Sequence, residues 1–158
     1  MMIKNYSEYL NDNFWKWFGD SKVVDDKGKP LVVYHGTSSD FGVFGSTYGY
    51  YKDAYYFSTT TKYAEHITKM KSSDKHSIMP VYLKIEKLKN VDWKISSQNV
   101  DRYLNSYEYL NELPDGIVGI DSGSNVTTYV VFKQENIKSA IGNNGNFNIN
   151  NPNINENF

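Results

Sequence analysis

Cysteine is absent from the 158 residues. That excludes disulfides, thiolate metal sites and a cysteine nucleophile, and it fits a reducing compartment. Arginine is nearly absent too: of the 17 basic residues only Arg102 is an arginine, and the rest are lysine. Clamping of phosphate and bidentate reading of guanine draw on arginine, and a formal net charge of -1 gives no general grip on a polyanion. Lys62, Lys69, Lys71 and Lys75 lie close together in sequence, and a solvated helix face and loop accounts for them. No apolar run approaches transmembrane length. The polar opening from Met1 to Leu10, with Lys4 and Glu8, is not a signal peptide. The expectation is a cytoplasmic monomer with no membrane partner. HExxH, GxSxG and glycine-rich phosphate-loop patterns are missing, and His35, His66 and His76 lack metal-ligand spacing, so no metal is expected.

What the chain does have is aromatic rings: 14 Tyr, 8 Phe and 3 Trp, enough to fill a core and to line a cleft for flat ligands. Asn5 opens a helix, with Glu8 completing a capping box. Tyr6, Leu10, Phe14 and Phe18 form its apolar stripe, and Gly19 stops it. Val23-Val24 and Leu31 to Val33 are short β runs around the Asp25 to Pro30 turn, and the second leads into Tyr34-His35-Gly36-Thr37. Residues 38 to 53 read as a loop or lid, Ala54 to Ser58 as a strand, and the stretch with Tyr63, Ala64, Ile67 and Met70 as an amphipathic helix. Val81, Leu83 and Ile85 alternate with Tyr82, Lys84 and Glu86 as in a half-buried strand. A helix begins at Ser97, with Val100, Tyr103, Leu104, Tyr107 and Leu110 on one side. Strands follow over Gly116 to Ile120 and Thr127 to Lys133, with a short extended piece over Asn136 to Ala140. The order gives an α+β fold with a mainly antiparallel sheet. From Gly142 onward nine of 17 residues are Asn. Residues 1–141 are therefore read as the domain, and 142–158 as an Asn-rich tail that buries no core.

The run from Trp17 to Thr37, WFGDSKVVDDKGKPLVVYHGT, resembles the ADP-ribosyltransferase domain of phage and mobile-element polyvalent proteins. So do AYYFS (Ala54 to Ser58), PVYLKIE (Pro80 to Glu86), DGIVGI (Asp115 to Ile120) and YVVFKQENIKSAIGNNGNF (Tyr129 to Phe147), in matching order and spacing. The resemblance implies the poly(ADP-ribose) polymerase and diphtheria-toxin-like class with its His–Tyr–Glu signature. Its fold is a split antiparallel β-core with flanking helices, and its co-substrate is NAD. His35 would then bond the 2′-hydroxyl of the nicotinamide ribose. Gly36 would bring its backbone to the carboxamide, an approach a Cβ would obstruct. Thr37 would support the ribose or fix His35, Tyr56 would stack on the nicotinamide, and Ser58 would begin the helix connection beneath it. The branch with an Arg on its first strand fits poorly, because no Arg precedes Arg102.

Two positions depart from that pattern. Relatives carry Glu at the start of the YVVF strand, where this chain has Thr128. A hydroxyl can hydrogen-bond but brings no charge to an oxocarbenium-like centre, and losing one such stabiliser costs on the order of 3 kcal/mol. Glu135 is the obvious substitute carboxylate, yet a straight strand would carry it roughly 20 Å beyond Thr128, so only a sharp bend returns it. Asp53 and Glu65 are weaker substitutes. Ile67 stands where relatives place a second aromatic, leaving an apolar wall that Tyr63, His66 or the tyrosines Tyr48, Tyr50 and Tyr51 would supplement.

The resulting expectation is an NAD-dependent mono-ADP-ribosyltransferase of the glycosyltransferase class, toxin- or effector-like. It would modify a macromolecule, protein rather than nucleic acid, with release of nicotinamide. His35, Tyr56, Thr128 and Glu135 are the catalytic candidates. His35, Gly36, Thr37, Tyr56, Ser58, Tyr63 and Ile67 are the NAD-binding ones. The rivals are an NAD glycohydrolase, a catalytically inactive module of a phage or mobile element, and a nucleic-acid-binding module using the lysines between 62 and 75.

Overall fold

The structure is a computed structural model that describes residues 10–37, 54–62, 77–106 and 113–156. Seven strands form one sheet: β1 (Val33–Thr37), β2 (Tyr55–Ser58), β3 (Ser77–Leu83), β4 (Leu88–Asn90), β5 (Gly116–Ile120), β6 (Thr127–Val131) and β7 (Ile137–Ser139). Their spatial order is β4-β5-β6-β2-β1-β3-β7. Every neighbouring pair is antiparallel except β4 and β5. The described helices are α1 (Asp12–Phe18) and α2 (Ser97–Ser106). This is the α+β architecture expected from the sequence.

The sheet is split at its middle. β1 runs beside β3 in register from Val33–Val81 to Thr37–Ser77, and β2 runs beside β6 from Tyr55–Val131 to Ser58–Thr128. Between β1 and β2, however, the register pair is Tyr34–Ser58 alone. Past that point the two strands part.

Strand alternation divides the core between the two faces. Val33, Tyr55, Phe57, Val81, Leu83, Tyr129, Val131 and Ile137 bury one face. On the other, Ile117 and Val130 pack beneath Val100 and Leu104 of α2, while Tyr82 packs beneath Phe14, Trp17 and Phe18 of α1. Tyr82 is therefore 1% exposed, not on a solvent face as its alternation suggests. The Phe14 ring meets its edge at 4.9 Å, and α1 covers the face that period-two reading leaves open. The sequence reading also passes over β4, whose three residues show no alternation.

The observed start of α1 is capped by Asn11, whose Oδ1 accepts from the Phe14 N–H at 2.9 Å. Asn5 lies outside the described residues. Gly19, at φ 54°, ends the helix as expected, and the Lys84 ammonium donates to the Trp17 carbonyl at 2.6 Å. A cation on the last carbonyls complements the helix dipole.

The tail corrects a further expectation. Ile154 is 1% exposed and belongs to the main core, and Phe147 packs on Phe14 and Trp17. The asparagines close successive Asx turns: the Oδ1 atoms of Asn143, Asn144, Asn148, Asn151 and Asn153 each accept a backbone N–H two residues on. Such local bonds satisfy a backbone that has no ladder partner. A polar composition can thus dock as an ordered strap carrying a few apolar anchors.

Candidate active site

His35 and Tyr56 lie on the two strands that flank the split, β1 and β2. β1 turns Val33 and His35 to one face and Tyr34 and Gly36 to the other. The His35 ring reaches across the gap. Its Nδ1 lies 2.9 Å from the Tyr56 carbonyl oxygen, and the ring sits 5.5 Å from that of Phe57. A carbonyl only accepts, so Nδ1 carries a proton and donates. The imidazole is thereby fixed in orientation by the backbone of β2.

Gly36 lies two residues from Tyr34 and Tyr56 two residues from Ser58, so alternation turns both to the face of the Tyr34–Ser58 pair. That face also carries Ser58 and Thr128, which are paired directly, and Gly119, which is paired with Thr128. The site therefore joins His35 and Tyr56 through a backbone hydrogen bond rather than ring to ring. The Tyr56 ring lies with the cluster under α2, whereas the imidazole contacts Phe57 on the main core.

Tyr56 is half-buried, and its phenol is pushed up to about 12, mainly by burial and secondarily by the negative charge of Asp101. A raised phenol favours the protonated form in the fold, so stability attached to it is present below pH 10 and is lost as pH rises from about 10 toward 12. Ultraviolet titration should show one tyrosine ionising near that upper value, and Tyr56→Phe should remove it together with that part of the alkaline stability loss.

The remaining candidates are distributed as follows. Ser58 is buried, and its hydroxyl donates to the Thr60 carbonyl at 2.7 Å where the chain leaves β2. Thr128 is 1% exposed, and its hydroxyl donates to the Val126 carbonyl, just before β6, at 3.1 Å. Glu135 is not brought to it. It lies in the single-turn 3-10 helix Gln134–Asn136 leading to β7, its carbonyl accepting the Trp17 indole N–H at 3.0 Å. The bend after β6 exists, but it carries the chain to the opposite edge of the sheet. Thr37 pairs with Ser77 through the backbone. The roles expected of the Thr37, Tyr63 and Ile67 side chains, and of Tyr48, Tyr50, Tyr51, Asp53, Glu65 and His66, fall outside the described residues. Among the described residues no group of three or more His, Asp or Glu is placed to hold a metal ion. Asp101, whose charge acts on the Tyr56 phenol, is not marked by the sequence: on α2 it follows buried Val100 and looks like any helix-surface acid.

The family model for the ADP-ribosyltransferase in polyvalent proteins matches residues 25–147. The chain belongs to this ADP-ribosyltransferase family. The match runs from the Asp25 turn through every strand of the sheet and ends at Phe147, before the last turns of the Asn-rich strap. No curated protein and no solved structure matches the chain. ADP-ribosyltransferase domains use NAD as substrate, and the β1–β2 split of this one offers features that suit it. Gly36 lacks a Cβ on the face that carries the Tyr56 ring, and the imidazole, on the Phe57 side, is tied to the Tyr56 carbonyl across the split.

Proposed function

We propose that this ADP-ribosyltransferase domain cleaves NAD at the nicotinamide–ribose bond and transfers a single ADP-ribose to a protein acceptor, acting in a host cytoplasm as the effector of a phage or mobile element. The observation that carries the reading is the 2.9 Å contact between His35 Nδ1 and the Tyr56 carbonyl. It holds an oriented imidazole in the split between β1 and β2, against the backbone that carries the Tyr56 ring. Backbone of Gly36 accepts and donates to the carboxamide, the Tyr56 ring covers the nicotinamide, and His35 Nε2 accepts from a ribose hydroxyl. Holding the ribose and ring in one reactive pose is the main contribution such a site makes.

The C1′–N bond breaks with its electron pair leaving on nicotinamide, and an oxocarbenium-like ribose develops. An acceptor oxygen or nitrogen then bonds C1′ and loses its proton to solvent. Thr128 in place of a carboxylate favours one transfer over chain elongation. It also favours a second reading, a binding module without turnover, because Thr128 is buried and its hydroxyl is already engaged by the Val126 carbonyl.

The test is incubation with labelled NAD in a host lysate. Label is expected on protein together with nicotinamide release. His35→Ala, by loosening ribose placement, should slow release about tenfold to a hundredfold. Release of free ADP-ribose unchanged by the lysate would indicate a glycohydrolase. No release at high protein concentration would leave only the binding module.

A further inference from the structure

We infer that Asp101 of α2 supplies the carboxylate that position 128 lacks, facing the positive charge that develops on the nicotinamide ribose. The inference rests on the transferase reading above. Three placements carry it. First, Gly36, Tyr56, Ser58 and Thr128 share one face of the sheet, and α2 lies over that face through Val100 and Leu104. Second, Asp101 is half-buried on α2, next to Val100 and three residues before Leu104, so it sits on the flank of the helix that packs against the Tyr56 cluster. Third, the other described carboxylates on this half of the sheet are engaged or turned to solvent. Asp121 accepts from Gly123, Ser124 N–H and the Ser124 hydroxyl, Asp115 accepts from the Lys87 N–H, and Asp92 is exposed.

The charge of Asp101 also acts on the Tyr56 phenol and helps hold it protonated. Among the described residues nothing hydrogen-bonds either the phenol oxygen or the Asp101 carboxylate, so a ligand hydroxyl between them would meet a donor on one side and an anion on the other. An anion there opposes the cation as the glycosidic bond lengthens. It matters more in the transition state than in the bound substrate, and its removal belongs in kcat rather than KM.

The experiment compares wild type, Asp101→Asn and Asp101→Glu for nicotinamide release from NAD, with ultraviolet titration of Tyr56 identified against Tyr56→Phe. Asp101→Asn is expected to lower kcat about a hundredfold while KM stays within about threefold. Asp101→Glu is expected to recover most of the rate. In Asp101→Asn the Tyr56 titration should move down, which shows that the side chain was where the argument needs it. An Asp101→Asn enzyme with the wild-type kcat overturns the inference and leaves the transferase reading intact, whether or not the phenol titration moves. A wild type that releases no nicotinamide overturns both, and the wild-type measurement alone reveals that case.

Discussion

In an Asp101→Asn background Thr128→Glu should accelerate nicotinamide release about 10²- to 10³-fold, the range by which a single well-placed electrostatic stabiliser changes kcat. Position 128 is the second residue of β6, beside Ser58 of β2, and shares a face with Tyr56 and Gly36. A glutamate there carries its oxygens two bonds further from the backbone than the threonine hydroxyl, toward the ribose. The substitution has a cost in the ligand-free protein. Thr128 is buried, its hydroxyl bond to the Val126 carbonyl is lost, and a carboxylate in its place lacks a partner until NAD arrives. The melting temperature of Thr128→Glu should therefore fall without NAD and rise more steeply with NAD than that of wild type, since a ligand that binds only the folded state stabilises it by mass action. Thr128→Gln separates charge from size, because it fills the same space and should gain no rate. Equal rates for Glu and Gln at this position would show that the face joining Thr128 and Tyr56 does not meet the ribose.

The parts of this fold that were legible in the sequence are those set by local pattern. The β1 and β2 segments, α2 from Ser97, and the alternation of Ile117 and Val130 against Tyr129 and Val131 follow from period and turn chemistry. The β1 and β2 motifs also marked the place where the sheet divides. What stayed hidden depends on partners distant in sequence. Leu88–Asn90 is a strand because Gly116–Val118 lies parallel to it, and nothing within three residues announces that. Tyr82 is buried because α1 returns over β3. The bend that a carboxylate would need after β6 is present, yet the bond from the Trp17 indole to the Glu135 carbonyl draws that turn toward α1. Asp101 differs from its neighbours only through the tertiary placement of α2 over Tyr56. Composition misjudged the tail most of all. Nine asparagines suggest a chain unable to offset its ordering entropy, but the Asx turns remove much of the backbone's need for partners, and Ile154 and Phe147 anchor the rest.

Glu156→Gln should destabilise the domain by about 3–5 kcal/mol, the usual cost of leaving a buried ion without its partner. Lys138 is 0% exposed and Glu156 3%, with Nζ and Oε1 3.4 Å apart. Burial holds the Lys138 ammonium below its ordinary value and Glu156 works against that shift, with burial the larger influence. The pair is thus weak as a net source of stability and strong as a constraint, since either member alone is expensive to keep dry. The ammonium places its three protons on the carbonyls of Asn148 and Asn151, each at 2.7 Å, and on Glu156. The Glu156 carboxylate accepts from the Asn148 N–H and the Asn143 side chain. Glutamine would turn an NH₂ toward one of these donors and leave the cation uncompensated. Lys138→Met should cost a similar amount, because it strands two carbonyls as well as the carboxylate. The double variant Lys138→Met/Glu156→Gln should not return to wild-type stability, since the two Asn carbonyls remain without a donor. Denaturant unfolding reads the size of the effect. Amide exchange at Ser139, whose N–H bonds the Ile154 carbonyl at 3.1 Å, tells whether the strap opens alone or the sheet goes with it. A Glu156→Gln cost below about 1 kcal/mol, in the range of an exposed pair, would mean that the strap is not docked on β7 in solution.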